Sequence, residues 1–339
     1  MKTSWLIKIQ RHTLKMRLSL GILIVFTIVS SGCSWFPSAQ ELNYRFISTW
    51  GEFGSEPGQF NDPTGIAVTD TEVYVSDARN ARIQVFDYEG RFKRQFGSKG
   101  GGPGQLGRPM NLTIVDNELY VADYWNDRIQ VFTLDGAPLR VIGKRGSGPG
   151  EFSSPSGVAV SPNGDLYVAD FYNQRVQLLN ADGQFIAQWG TTGETGIWAE
   201  EFNYPTDVAL TEDGILYIAD GYNDRIQVLS DKGEFINKWG GPFALNIFGP
   251  FNSWFATVTS VEIGPKGNVF VADFYNNRIQ KFSSDGRFLI AIESEVEEGN
   301  NSKILNHAIS MAVASDNTLF VVDYGNHRIL KWRPGLDSQ

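Results

Sequence analysis

A chain of 339 residues with 38 Asp and Glu against 29 Lys and Arg is a poor nucleic-acid reader, because phosphate contacts need clustered basic side chains. Its single cysteine, Cys33, excludes any internal disulfide. Stability has to come from apolar burial and from the way the fold closes on itself.

Residues 1–33 stand apart from the rest. Lys2, Lys8, Arg11, Lys15 and Arg17 form a basic stretch without an acid, the apolar run LSLGILIVFTIVS covers 18–30, and Ser31-Gly32-Cys33 ends it. This is the anatomy of an export signal. The apolar core falls short of the ~20 residues of a comfortable membrane span, so an uncleaved anchor is only the alternative, as is an ordinary secretory signal. Cys33 after Gly32 resembles the bacterial lipoprotein signal, with Ser30 where that family prefers leucine. The resemblance implies lipidation of Cys33 and, with Ser34 following, an outer-membrane lipoprotein of the cell envelope. Met16 begins a shorter leader of better proportions. Without the leader's five basic residues, 24 basic residues face 38 acidic ones, a net charge of −14.

After a short linker over 34–43, the strand signal YRFISTWG (44–51) comes before any repeat of its own. Then one pattern, Asp-x-x-Asn-x-Arg, recurs six times, starting at Asp77, Asp123, Asp170, Asp220, Asp273 and Asp323, at intervals of 46, 47, 50, 53 and 50 residues. Such a period marks a propeller or solenoid. Each copy carries four short alternating runs bounded by turn residues. In the third they read SGVAVS (156–161), LYVAD (166–170), RVQLL (175–179) and QFIAQWG (184–190). The sixth copy stops at KWRPGLDSQ without its fourth run. We expect an all-β, six-bladed β-propeller over 44–339 with four-stranded blades, the N-terminal strand completing the last blade and removing its open edge. The repeats resemble the NHL-repeat family from Tyr44 to about Pro334. That resemblance implies the propeller fold, and a function that in the family ranges over binding platforms, RNA readers and occasional enzymes.

Six equivalent copies suit construction better than chemistry. Each arginine (Arg82, Arg128, Arg175, Arg225, Arg278, Arg328) opens a strand that faces a neighbouring blade, and a buried guanidinium needs a partner. The aspartate five residues earlier is available, and Asn276 is of the type that tolerates left-handed turn geometry. Function is therefore expected where the copies differ.

Two positions inside the repeated turn vary: Ala78-Arg79, Tyr124-Trp125, Phe171-Tyr172, Gly221-Tyr222, Phe274-Tyr275 and Tyr324-Gly325. Rigid aromatics with a polar tip suit peptides or sugar rings; packing on the neighbouring blade is the alternative. A second variable position, at the start of each inner strand, reads Gly65, Asn111, Gly157, Asp207, Ser260 and Ser310. The resemblance implies that these ring the channel mouth, where they hold a ligand, a calcium ion or water; one carboxylate is thin for calcium. The Gly-rich connections 98–109 and 144–155 lack the Gly-Lys-Ser/Thr ending and the helix of a phosphate loop. The connection 240–260 is long and apolar. Exposed, its Phe243, Leu245, Ile247, Phe248, Phe251, Trp254 and Phe255, extended by Trp198 and Tyr204 of the neighbouring connection, mark a partner or lipid contact; folded over the rim, they form a local core or a lid.

Within the resembled fold, the amidating lyase holds zinc through histidines, and this chain has only His307 and His327 after the leader. No nucleophilic triad is legible and no catalytic residue is assigned. The reading is an envelope-anchored, monomeric, non-catalytic module that binds a protein, peptide or glycan on its rim, without nucleic acid and without a required cofactor. The alternative is a metal-dependent hydrolase or lyase of the propeller type at the channel mouth.

Overall fold

The computed structural model describes residues 36–293 and 305–335. The leader, with Cys33 and its proposed lipid, lies outside the described residues.

Alternation of apolar and polar residues at period two builds short antiparallel strands, and turn residues cut them to five to seven residues. The first blade is Pro63–Val68, Glu72–Asp77, Arg82–Asp87 and Phe92–Phe96, hydrogen-bonded in that order. Five further four-stranded sheets follow, with inner strands Pro109–Val115, Pro155–Val160, Pro205–Leu210, Val258–Ile263 and Ala308–Val313. Proline opens four of the six inner strands, a place where its missing N–H breaks no ladder. In the third blade the strands run Pro155–Val160, Leu166–Asp170, Arg175–Leu179 and Phe185–Trp189, within a residue of the sequence expectation.

The ring closes as expected. Tyr44–Trp50 pairs antiparallel with Arg328–Pro334, Tyr44 opposite Pro334 and Trp50 opposite Ile329. Phe46 meets the buried Trp332 edge-on, ring centres 5.6 Å apart. The last blade thus takes its outer strand from the beginning of the propeller. Among the described residues the only helical elements are 3-10 turns.

The core lies between blades. Ala159, Tyr167, Val176 and Trp189 of the third blade pack with Val208, Leu216, Ile218 and Leu229 of the fourth. Second strands are buried on both faces, as in Leu166–Asp170. The outer-strand tryptophan reaches the next blade's hairpin: a Cβ on Gly233, which sits at φ +86°, would overlap Trp189. The recurring Trp-Gly ending and the hairpin glycine are therefore two halves of one contact.

Candidate functional site

The repeated motif builds the blade corners. Aspartate and arginine face each other in the ladder, for example Asp220 with Arg225. Arg Nε donates to Asp Oδ2 at 2.7 Å in Asp77–Arg82, Asp220–Arg225, Asp273–Arg278 and Asp323–Arg328, at 2.9 Å in Asp170–Arg175 and at 3.1 Å in Asp123–Arg128. The other aspartate oxygen accepts a backbone N–H from the connection entering the blade, such as Asn61, Ser153 and Asn203, each at 2.7 Å. The guanidinium ties down carbonyls of the same connection: Arg82 reaches Glu56 and Gln59, and Arg278 reaches Phe251 and Trp254. Burial raises the carboxyl of Asp220, and Arg225 and the hydrogen bonds oppose that rise.

One detail of the turn differs from expectation. The left-handed residue is the one after the asparagine: Ala81, Asp127, Gln174, Asp224, Asn277 and His327, with φ between 52° and 59°. Asn276 itself is helical and bridges Asp273 to the carbonyl of Gly249. Side chains at the left-handed position latch the next blade. Asp127 accepts from Ser154 N and Asp224 from Thr257 N, each at 2.7 Å, and His327 Nδ1 accepts from Asp62 N at 3.3 Å across the closure.

Turns and entering connections emerge on one rim, since Tyr124 N donates to the carbonyl of Arg108 and Tyr324 N to that of His307. The two variable turn positions have separate tasks. The first packs: Phe171 lies 4.9 Å from Tyr204, Tyr124 lies 5.9 Å from Phe171, Phe274 stacks on His307 at 4.6 Å, and Tyr324 lies 6.1 Å from Phe274. The second projects: Trp125, Tyr172, Tyr222 and Tyr275 are between 43% and 57% exposed. Trp125 and Tyr172, with Tyr124 and Phe171 beside them, line a cup of about 350 Å³ whose floor draws on all six inner strands: Thr64, Met110, Asn111, Ser156, Thr206, Thr259 and Ile309. Arg108 lines the cup 5.5 Å from the face of Trp125, and Asp62 ties it to Arg79 at the rim. Asp62, Arg108 and His307 were not legible as site residues, because they lie in connections whose lengths differ between repeats; Tyr204, expected to extend the apolar surface with Trp198, packs against Phe171 at the rim.

Below the cup, a channel cavity of about 230 Å³ brings together Asn111, Asp207, Ser260 and Ser310, as the alignment of repeats implied. Asp207 Oδ2 accepts from Ser260 Oγ at 2.7 Å and Val261 N at 3.1 Å, and Ser260 Oγ lies 3.4 Å from Ser310 Oγ. Gly157 is required here, since a Cβ would stand 2.4 Å from Asp207 Oδ1. Burial raises Asp207 to about 7 against those hydrogen bonds. Glu262, two residues beyond Ser260 on the same strand face, is pushed to about 8 by burial and by Asp207. The sequence reading missed Glu262. Its signal was an acid two positions past the channel position in an otherwise apolar inner strand. Two carboxyls, an amide and hydroxyls fit calcium poorly, and no three His, Cys, Asp or Glu stand together among the described residues.

The expectation of an exposed 240–260 cluster is corrected in part. Phe255 is fully buried, Trp254 is 8% exposed and Phe248 is half-buried. Phe251 stacks beneath Phe36 with ring centres 4.1 Å apart. These side chains gain more from covering the interior next to Phe282 and Phe36 than from facing water. Trp198 does project, 63% exposed.

Residues 60–86, 202–229, 255–282 and 305–332 match the NHL repeat, and residues 105–191 match a family described as a 6-bladed beta-propeller. The chain is 53% identical over 47 residues to the Drosophila melanogaster protein brain tumor, covering 14% of this chain and 4% of that protein. Among solved structures it resembles a protein of unknown function from Bacteroides thetaiotaomicron, with TM-score 0.65, 16% identity and coverage of 86% and 75% of the two chains. It also resembles a streptogramin B lyase, with TM-score 0.59, 16% identity and coverage of 88% and 100%. At these identities the structures speak for the fold alone. The chain is an all-β, six-bladed propeller with four-stranded blades, built on NHL repeats.

Proposed function

We propose that this protein is a non-catalytic binding module of the cell envelope, tethered by its N-terminal segment, whose rim cup takes part of a peptide or glycan. One observation carries the reading: the variable turn positions of two adjacent blades place the exposed Trp125 and Tyr172 on the lining of a common cup. Exposed Trp and Tyr supply contact area at small entropic cost, the usual makeup of a binding hot spot. A ring of the ligand stacks on Trp125 or Tyr172, and an acidic group meets Arg108, whose planar fork suits a carboxylate.

The test is calorimetry of the full chain against short acidic peptides and N-acetylated glycan oligomers. Trp125→Ala with Tyr172→Ala is expected to weaken any binding by at least ~30-fold, roughly 2 kcal/mol. Binding unchanged by that pair removes the cup from the reading.

A second reading, a metal-dependent hydrolase or lyase at the channel mouth, draws on the raised Asp207 and Glu262 that share the channel cavity. Acids held near neutral pH are what proton transfer requires. A metal-dependent turnover abolished by Asp207→Ala decides for that reading and against the binding module.

A further inference from the structure

The connection over residues 240–257 contains no charged residue. Most of it folds inward, but Phe243 projects, 78% exposed, as does Trp198 on the neighbouring connection. Arg225 ties the two connections together by donating to the carbonyls of Ile197, Trp198 and Ala244. Phe243 also sits at φ 59°, a left-handed conformation that strains a bulky side chain. Core packing does not account for an aromatic held outward at that cost.

The same connection receives the start of the described chain. Phe36 stacks on Phe251, and Asn252 Nδ2 donates to the carbonyl of Pro37 at 2.8 Å. Cys33 precedes Phe36 by three residues and the apolar run ends six residues before it. An extended chain spans at most ~3.6 Å per residue, so these points lie within about 11 Å and about 22 Å of Phe36. An acyl chain on Cys33 and an uncleaved apolar anchor both bring the lipid interface to this edge of the rim.

We propose that Trp198 and Phe243 seat in the lipid headgroup interface beside the tether, so that the channel-mouth rim faces the membrane. A single tether leaves a propeller free to swivel; a second contact next to it gains from the high local concentration the tether imposes. Tryptophan with its ring at headgroup level is a common interfacial anchor. The exposed Glu194 and Glu200 flank Trp198, so a headgroup bearing an ammonium, as in phosphatidylethanolamine, suits the patch better than an anionic one. The inference rests on the tethered reading above and adds the orientation: the cup meets ligands displayed at the membrane surface.

The test uses the full chain in phosphatidylethanolamine vesicles whose acyl chains carry bromine, which quenches nearby tryptophan emission. Flotation with the vesicles comes first; failure to float overturns the tethered reading and the orientation with it. In the floated protein, Trp198→Phe is expected to remove about one tryptophan's share of the quenched emission, out of nine tryptophans in the chain. Phe243→Ser, with Trp198 intact, is expected to lower the quenching of that tryptophan. Flotation with quenching identical in wild type and Trp198→Phe overturns the orientation alone.

Discussion

Arg225 and Asp220 are both without exposed side-chain surface, and the guanidinium also holds the connection through Trp198 and Glu201. Arg225→Ala leaves a buried carboxylate without its counter-charge, a loss of about 3–5 kcal/mol. Urea unfolding is expected to show that loss; a change below ~1 kcal/mol would contradict the corner role. The channel acids act in the opposite sense. Glu262 rises from 4.5 to about 8 in the folded state, so its contribution is full below about pH 4.5 and is lost as pH climbs through about 8. Glu262→Gln is expected to flatten the fall in stability between those values and to stabilise the protein at pH 9, by roughly 1–2 kcal/mol after allowing for water in the channel. Thermal unfolding across pH reads this, and an unaltered slope would show that Glu262 titrates normally.

Among the elements, the closing strand has the most distinct duty. Tyr44–Trp50 covers the edge of Arg328–Pro334, and Thr49 Oγ1 adds a bond to the Ile329 carbonyl at 2.8 Å. Removing residues 44–50 uncovers a seven-residue strand edge, which templates pairing with other chains. We expect a lower unfolding midpoint and concentration-dependent association in light scattering; a monomer with an unchanged midpoint contradicts the closure. This element was legible in the sequence, because a strand without a repeat at one end matched a repeat without a strand at the other. The Asp–Arg pairing was legible too, since both partners lie in one hairpin. Three features were not. Which rim aromatic projects depends on the 3-10 geometry between Asp and Arg, which alternation alone does not fix. The contact of Phe36 with Phe251 joins residues more than 200 positions apart, and no local pattern encodes it. The effect of Asp207 on Glu262 acts between blades, so only the closed ring brings the two together.

At the scale of the whole molecule, the ring separates construction from recognition. Six corners and the interblade cores hold the blades, and the first variable turn position packs on neighbouring connections, while the second, which projects, has more freedom to differ. Side chains such as Trp125 and Tyr172, more than half exposed, can then change at small cost to folding, whereas the buried Asp170 and Arg175 cannot.

The most direct measurement pairs unfolding with ligand titration on two variants of the second and third blades, Trp125→Ala with Tyr172→Ala, and Arg175→Ala. The rim pair is expected to keep its unfolding free energy within about 1 kcal/mol of wild type and to lose ligand binding. Arg175→Ala is predicted to lose several kcal/mol of stability. A rim pair that unfolds early, or that binds as wild type does, would contradict the division between a structural motif and a functional rim.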